Sequence, residues 1–278
     1  MTACEPVPDL EALLKPSTAL LLGEIHGTTE SPAFVAATVC LALRSGRSVT
    51  AGLEIPYEDQ PGVETYLHSG TDADRAAMFA SPFWTAAYQD GRRSKAMAAP
   101  LLRLREFTAD RLPVHVAFFD RRENTSAQAR DEWMAQAIST AHRKAPADLI
   151  VALAGNRHTR VEGTEPVVPM GVLLGTREPA LPRTSLNVGY SGGSAWTCTG
   201  AEAGSCGARE LKGRPIAAKT PAVHMFDTRQ RGYDGEDLVG SITASPPAIR
   251  SPNGEPTVMW SHRVGHDRVL DAGWRTPH

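Results

Sequence analysis

Residues 18–26 read TALLLGEIH, and this stretch decides the fold. Residues 19–23 are a short apolar run that ends in glycine, which predicts a buried β-strand. Ser31 and Pro32 then resemble an N-cap followed by a proline at the first helical position, so we expect a helix that runs to about Arg44 and stops at Gly46. A strand that is followed directly by a helix is the first half of a βαβ unit.

The same alternation continues through the first half of the chain. Further predicted strands cover residues 49–55, 114–119 and 149–154. Helical patterns lie between them, at residues 73–79, 94–110 and 125–142. Because strands that alternate with helices form parallel sheets covered by those helices, we predict an α/β fold with an open, mostly parallel sheet and helices on both faces.

The second half of the chain has a different character. Residues 172–174 and 185–190 are strand-like, and beyond Ser191 the chain is rich in Gly, Pro and Ser. Short candidate strands follow at 223–226 and 238–243, and from Ser245 onward we expect extended chain or loop. The predicted organisation is therefore an α/β core at residues 1–190 that carries the site, with a loop- and β-rich C-terminal extension at residues 191–278 packed on the same domain.

Charge and hydropathy exclude two classes of partner. The 29 basic and 31 acidic residues nearly balance, and no long basic run appears, so nucleic-acid binding is not expected. The longest apolar runs are strand-length, whereas a transmembrane helix needs about 20 apolar residues. We therefore expect a small-molecule or peptide substrate as the partner.

The four cysteines indicate the redox state of the cellular compartment in which the protein works. Cys40 lies in an apolar helical stretch and is expected to be a buried thiol. Cys198 and Cys206 flank a Gly/Ala-rich loop that a disulfide could close, although two unrelated thiols are the alternative. A disulfide is typical of an oxidising compartment, and we expect the periplasm or cell envelope. No signal peptide is visible, but Thr-Ala-Cys at the start is similar to a lipoprotein cleavage site, with Cys4 as the residue that would carry a lipid anchor.

Polar side chains follow all four predicted strands of the first half. Glu24 and His26 end the first strand, and Glu54 lies near the end of the second. The other two strands run into Asp120, Arg121, Asn156 and His158. In an open parallel sheet, ligands bind in the crevice beyond the carboxyl ends of the strands. The sequence therefore predicts a polar active or binding site at this edge, with His26 in it.

The residue types in this set point to acid–base chemistry. Glu24 and His26 are two residues apart, so in extended backbone both side chains point to the same side. A carboxylate beside an imidazole raises its basicity or fixes its tautomer, and such a pair can activate water. Glu54 lies among apolar residues, where a carboxylate is costly unless it is paired or functional. His158 could bind an oxyanion, donate a proton or ligate a metal.

Simpler interpretations exist for the same residues. Glu24 could cap a loop, and Glu54 could form a structural ion pair with Arg121 or Arg130. The remaining histidines lack this context and are expected to be surface or structural residues: His68, His115, His142, His224, His262, His266 and His278. The nucleophile-elbow, phosphate-loop, zinc-protease and paired Cys-x-x-Cys motifs are missing from the sequence.

Several short motifs, taken in order, resemble a known superfamily. Residues 22–30 (LGEIHGTTE) look like its opening motif, and Glu54 matches the acidic residue that ends its second strand. Residues 129–135 (ARDEWMA), 154–158 (AGNRH) and 169–174 (PMGVLL) are similar to later motifs. Over roughly residues 20–190, the chain resembles the superfamily of erythromycin esterases, ChaN haem-uptake proteins and Tiki/TraB-type proteins.

The branches of this superfamily imply different functions. Resemblance to the esterases implies hydrolysis without a metal, with His26 as general base and Glu54 supporting it, although esterases place one more residue between the Glu and the His of the opening motif. The Tiki branch implies a metal-dependent protease. The ChaN branch, whose Gly-Glu-x-His spacing this chain has, implies haem or iron binding at a bacterial envelope.

The leading hypothesis is a hydrolase of an ester or amide bond. His26, oriented by Glu24, would deprotonate water, and Glu54 would hold the water or stabilise positive charge on His26. His158 and Arg130 would stabilise the oxyanion, since preorganised donors are usually the largest catalytic contribution. Four further residues of this edge and its motifs are predicted to bind substrate: Glu30, Asp120, Asn156 and Arg121.

Two alternatives use other chemistry. In a metal-assisted form of the hydrolase, His26, Glu54 and His158 would ligate a divalent metal, as two histidines and a carboxylate do in open catalytic sites. In a haem-binding protein, an exposed His, Tyr or Met would ligate the iron, and Tyr57 and Tyr88 are candidates.

Overall fold

The computed structural model describes residues 4–122, 126–163 and 166–249. The strands are β1 (Thr18–Glu24), β2 (Val49–Pro56), β3 (Val114–Asp120), β4 (Leu149–Gly155), β5 (Arg183–Cys198), β6 (Cys206–Lys212), β7 (Ala222–Gln230) and β8 (Tyr233–Ile242). The helices are α1 (Glu30–Arg44), α2 (Gln60–Ser69), α3 (Asp72–Phe79), α4 (Pro82–Thr85), α5 (Lys95–Ala109), α6 (Ala127–Lys144), α7 (Asn156–Thr159) and α8 (Met170–Arg177).

These strands form a single open sheet. Its order is β3-β2-β4-β1-β5-β8-β7, and β6 pairs with β5 beside this path. The pairs from β3 through β8 are parallel, whereas β5–β6 and β7–β8 are antiparallel. The predicted α/β class with an open, mostly parallel sheet is confirmed.

Helices cover both faces of the sheet, which explains the apolar runs. Leu20 and Leu22 of β1 belong to the larger core cluster, together with residues of α1 and α5. Ala19 and Leu21 face the opposite side and pack with residues of α6 and α8. Since successive side chains of a strand point to opposite faces, both faces of β1 must be apolar.

The predicted helices are present with small shifts at their ends. Ser94 and Ser126 cap α5 and α6, and each side-chain oxygen accepts a hydrogen bond from the backbone N–H three residues on. Ser31 was predicted as the N-cap of α1, but α1 begins two residues earlier than predicted, at Glu30, with Thr29 as its N-cap. The backbone of Thr29 is already helical, so Ser31 lies inside the first turn.

The strand predicted at residues 172–174 is wrong, because these residues lie in α8. Met170, Gly171 and Leu174 are the buried residues of this helix. Met170 and Leu174 are four residues apart, which is the spacing of one helix face. A run of three apolar residues is too short to distinguish this spacing from the alternation of a strand.

The C-terminal extension continues the same sheet. The strands predicted at 223–226 and 238–243 correspond to β7 and β8, and β5 runs on to Cys198 because its second half pairs with β6. Ser245 lies against the turn after β1, where its backbone N–H donates to Gly27 O at 2.8 Å. Residues 250–278 lie outside the described residues, as do His262, His266 and His278.

All four cysteines are in disulfides. The predicted Cys198–Cys206 bond is present. The prediction that Cys40 is a buried free thiol is wrong, because Cys40 forms a disulfide with Cys4. A Cys4 sulfur in this bond cannot also carry a thioether-linked lipid, so the disulfide and the predicted anchor exclude each other. Across the described part of the chain, no helix is long and apolar enough to cross a membrane.

Candidate active site

The four predicted strand ends meet at one edge of the sheet. β1, β4, β2 and β3 are consecutive neighbours, and their register places Glu24 beside Gly155 and Pro56 beside Asp120. Because these strands are parallel, their carboxyl ends share the same edge. The polar residues that follow them are therefore brought together by the sheet itself.

His26 is held by a carboxylate on each side. Its Nδ1 lies 2.7 Å from Glu24 Oε1, which is a hydrogen bond. A carboxylate oxygen accepts, so this bond fixes the hydrogen on Nδ1 and leaves the Nε2 lone pair free. Nε2 faces Glu54 Oε1 at 3.6 Å, too far for a direct hydrogen bond. The side chain of His26 is 27% exposed, so part of the ring is within reach of solvent.

Glu54 is the buried centre of the site, with a side chain that is 0% exposed. One carboxylate oxygen accepts a hydrogen bond from the backbone N–H of Gly155 at 2.7 Å. The other accepts hydrogen bonds from the guanidinium groups of Arg130 and, at 3.5 Å, Arg92. The predicted ion pair with Arg130 is thus present, while the structure adds Arg92 as a second partner.

Arg130 joins the second, third and fourth strand ends. Its Nε and Nη2 donate to the two oxygens of Asp120 at 2.8 and 2.7 Å, a bidentate pair. Its Nη1 lies 3.1 Å from His158 Nε2. Because a guanidinium only donates, the ring nitrogen of His158 accepts in this contact.

His158 is fixed from its other side by Asp131. Its Nδ1 lies 2.8 Å from Asp131 Oδ1, which also accepts the backbone N–H of Met170 at 2.8 Å. The hydrogen of His158 is therefore on Nδ1, with Nε2 turned to Arg130. Asp131 belongs to the motif at residues 129–135, where it directly follows Arg130, but the sequence assigned it no role.

Arg92 is the site residue that the sequence did not reveal. Its Nη1 donates to Asp120 Oδ2 at 2.9 Å, and its Nε and Nη2 donate to Asp90 Oδ2 at 3.0 and 2.6 Å. Its side chain is 20% exposed. Arg92 lies in the loop between α4 and α5, which has neither periodicity nor a motif, so no signal in the sequence pointed to it.

Gly155 lies against the imidazole rings of both His26 and His158. A Cβ built on Gly155 would lie 3.0 Å from His26 Nε2 and 3.5 Å from His158 Cδ2. Both imidazoles therefore lie against the same bare backbone, where a Cβ would crowd the ring of His26 and make ordinary contact with that of His158. The close approach of His26, and not the φ angle, favours glycine at this strand end.

The other predicted site residues have separate surroundings. The carboxylate of Glu30 is buried and accepts a hydrogen bond from the backbone N–H of Thr243 at 2.9 Å. Asn156 begins α7, and its backbone carbonyl accepts the hydroxyl of Tyr233 at 2.5 Å. The guanidinium of Arg121 lies 4.7 Å from the ring centroid of Trp133. None of these three contacts involves His26 or Glu54, whereas Asp120 contacts both site arginines.

The charges of the site shift two pKa values in opposite directions. Burial would lower the pKa of His26, but the charges of Glu54 and Glu24 outweigh it and raise the pKa above 6.5. Burial would raise the pKa of Glu54, but the positive charges of His26, Arg130 and Arg92 hold it far below its ordinary value. Glu54 is therefore ionised at any physiological pH, and His26 takes up a proton readily.

The donor set does not match a metal centre. Within the described ranges, no group of three His, Cys, Asp or Glu side chains is arranged to hold a metal ion. The guanidinium of Arg130 lies between Glu54 and His158 and binds both, so a cation already occupies the space that these two predicted ligands would share.

The two tyrosines predicted as candidate haem ligands make other contacts. The ring of Tyr57 packs against Trp133 with centroids 5.0 Å apart, and the hydroxyl of Tyr88 donates to Gly200 O at 3.2 Å. Neither contact involves a histidine of the site.

Comparison with known proteins shows the fold. No protein-family model matches the chain, and no curated protein matches it either. An erythromycin esterase (EreC, H289N mutant in its open conformation) is similar with a TM-score of 0.60 and 12% identity, covering 84% of this chain and 93% of that chain. A succinoglycan biosynthesis protein is similar with a TM-score of 0.63 and 11% identity, covering 88% and 94%.

Haem-binding ChaN of Campylobacter jejuni also matches, with 10% identity over 65% of this chain and 84% of that chain. Its TM-score is 0.35, which is too low to support an argument about function. The likeness to the erythromycin esterase is therefore one of fold.

Proposed function

We propose that the protein is a hydrolase of an ester or amide bond in a small-molecule or peptide substrate. The observation that supports this most strongly is the arrangement of His26 between Glu24 and Glu54. One carboxylate fixes the tautomer, and the basic nitrogen is left free at a partly exposed position. A positioned imidazole with a free lone pair is the most common general base in enzymes.

His26 would take the proton from the attacking water at Nε2. Glu24 would keep the other ring hydrogen on Nδ1 throughout and stabilise the imidazolium that forms. Glu54, ionised and 3.6 Å from Nε2, would stabilise the same positive charge from the other side. The proton would then pass from Nε2 to the leaving alcohol or amine, which restores the neutral ring.

Arg130 and Arg92 are the groups proposed to stabilise the oxyanion. Their side chains are 25% and 20% exposed, and both are held rigidly by Asp120. Donors that are fixed before the reaction need no reorganisation as charge develops. His158 accepts a hydrogen bond from Arg130, so we assign it the role of orienting Arg130 in place of the direct contact with the oxyanion that the sequence suggested. Asn156, Arg121 and Glu30 remain proposed substrate contacts.

Replacement of His26 tests the proposal. On a substrate found by screening ester and amide panels, His26→Ala should lower kcat by about 10²–10⁴-fold, the usual contribution of a general base. His115→Ala is a matched control, because His115 is an exposed histidine at the opposite end of the same sheet. Full turnover by His26→Ala would rule out the proposed mechanism.

The same assay separates the alternative chemistries. Hydrolysis without a metal predicts that activity survives dialysis against a chelator, whereas loss of activity with recovery on adding one divalent metal would favour the metal-assisted form. A Soret shift on titration with haem, together with no turnover on any panel, would favour the haem-binding alternative.

We also propose that the protein works in the bacterial periplasm or cell envelope. Its two disulfides support this, because disulfides are rare in reducing compartments. Thiol counting on protein purified from its native cells should find no free cysteine. Four free thiols in that protein would contradict the proposed location.

A further inference from the structure

A hairpin of the C-terminal extension reaches the candidate active site. The second half of β5 pairs with β6, and the Cys198–Cys206 disulfide closes the end of this hairpin. Trp196 lies on β5 in this hairpin and donates two hydrogen bonds to neighbouring loops. Its backbone N–H donates to Gly27 O at 2.9 Å, and its indole Nε1 donates to Gln89 O at 3.0 Å. One residue thus contacts two separate loops.

The two loops that Trp196 contacts also touch each other, backbone to backbone. Gly27 has φ +75°, and a Cβ there would lie 2.2 Å from Trp196 O. Gly91 has φ +93°, and a Cβ there would lie 2.6 Å from Gly27 N. No side chain fits at either position, so Gly27 is enclosed between the hairpin and the second loop.

Each of these loops carries a residue of the site. Gly27 directly follows His26, and Gln89 directly precedes Asp90, the carboxylate that binds Arg92 through Nε and Nη2. The side-chain amide of Gln89 donates to Trp84 O and Ala86 O, which ties the start of the loop to α4. The indole bond therefore ties Gln89 to the hairpin and, through the hairpin, to Gly27.

We propose that Trp196 is a positioning residue, which fixes the loop of Arg92 relative to the loop of His26. Its indole N–H holds Gln89, Gln89 sets the position of Asp90, and Asp90 directs the guanidinium of Arg92 toward Glu54 and Asp120. The assignment rests on the proposed function in treating Arg92 as part of an active site, but the positional link does not depend on which reaction that site performs.

The Trp196→Phe variant tests this link, because it keeps an aromatic ring and removes only the indole donor. The readout is the NMR signal of the Arg92 Nε–H, which is bonded to Asp90. In the variant, this proton should exchange with solvent about tenfold faster and lose its hydrogen-bonded shift, since tenfold corresponds to about 1.4 kcal/mol, the scale of one hydrogen bond. The Arg130 Nε–H, bonded to Asp120 at 2.8 Å, should keep its signal in the same spectrum.

The Arg130 signal distinguishes positioning from general loosening. If both arginine signals weaken together, or if neither changes, the proposal is overturned. Tyr88→Phe is the matched control, because it removes the exposed hydrogen bond between the same loop and the hairpin tip at Gly200 O. It should leave the Arg92 signal unchanged. A change as large as that in Trp196→Phe would show that any contact along the hairpin suffices, and this too would overturn the role of Trp196.

A reverse measurement covers the case in which Trp196→Phe folds poorly. Coupling between two groups is reciprocal, so Arg92→Ala should shift the Trp196 indole N–H signal and leave the Trp133 indole signal in place. No shift of the Trp196 signal would overturn the proposal. If these signals respond as expected but His26→Ala retains full turnover, the positional link stands and the proposed reaction falls.

Discussion

At the scale of single residues, the buried carboxylates of this protein differ in how many hydrogen-bond donors surround them. Glu54 and Asp148 are buried with several donors each, and Asp148 accepts from Ser48, Thr50 and His115. Asp237 is also buried, yet its Oδ1 has no hydrogen-bond partner among the described residues. A buried carboxylate oxygen without a donor opposes folding, whereas one with donors supports it.

We expect Asp237→Asn to stabilise the protein at neutral pH. Burial raises the pKa of Asp237 well above 3.8, and the charges of Glu236 and Glu24 raise it further. An acid whose pKa is raised in the folded state binds more protons when folded, so stability falls as pH rises above 3.8. The amide has no charge to bury, so urea unfolding at pH 7 should show a gain of about 1–3 kcal/mol.

Asp148→Asn is the matched control with the opposite sign. Burial would raise the pKa of Asp148, but its bonds to Ser48, Thr50 and His115 lower it. Stability from Asp148 is therefore present above the ordinary carboxyl pKa and is lost as pH falls. This variant should be less stable than the wild type at pH 7. Equal changes in the free energy of unfolding for the two variants would contradict the opposite roles assigned to Asp237 and Asp148.

The pH dependence of turnover follows from the raised pKa of His26. A general base must be neutral, so kcat/KM should rise with pH through a midpoint above 6.5. The contribution of His26 to the free energy of unfolding depends on pH in the opposite direction. It is present below pH 6.5 and is lost as pH rises through the folded-state pKa of His26. Glu24→Gln removes one charge that raises this pKa, so its midpoint should move to lower pH. A midpoint that stays fixed in this variant would show that another group titrates.

At the scale of elements, the two disulfides constrain loops of very different length. Cys4–Cys40 ties the N-terminal segment to α1 across 36 residues, whereas Cys198–Cys206 closes a hairpin across 8. Because a crosslink removes more freedom from the unfolded chain when its loop is longer, the first disulfide should contribute more to stability.

Paired substitution of each disulfide tests this difference. Replacing Cys4 and Cys40 by Ala should cost about 4 kcal/mol of the free energy of unfolding, and replacing Cys198 and Cys206 about 2.5 kcal/mol, from loop-closure entropy. Chemical denaturation of both variants measures the values. A larger loss from the hairpin disulfide would show that its effect acts through native contacts, such as those of Trp196, and not through the unfolded chain.

At the scale of the whole molecule, the candidate site is assembled from four strand ends, the two helices α6 and α7, and one loop. Arg92 comes from the loop and binds Glu54 and Asp120, which lie 38 and 28 residues away in sequence. Its position depends on the packing of the loop against the hairpin and the turn after β1.

Arg92→Ala should therefore lower kcat by about 10²-fold, the usual cost of removing one donor to the oxyanion. Arg75→Ala is the control, because Arg75 pairs with Asp72 within α3. Steady-state kinetics of both variants would measure the effect. An Arg92→Ala enzyme with unchanged kcat would assign Arg92 a purely structural role.

The strand ends and the carboxylate–imidazole pair were predictable because they are local. Continuous apolar runs located β1 to β4 to within one residue, and the spacing of two residues placed Glu24 beside His26. The error at residues 172–174 has the same cause, since a local pattern that is too short fits both a strand and a helix.

The sequence alone predicts the α/β class, and it places the candidate site and most of its charged residues at the carboxyl ends of the strands. It could do so because backbone periodicity and strand direction are set by neighbouring residues. Only the tertiary structure decided that Arg92 completes the site, that Asp131 fixes His158, that Cys40 pairs with Cys4, and that Trp196 joins two loops. Each of these contacts links segments far apart in the chain, so its partner is set by how the whole sheet and its covering loops pack, and no local pattern encodes it.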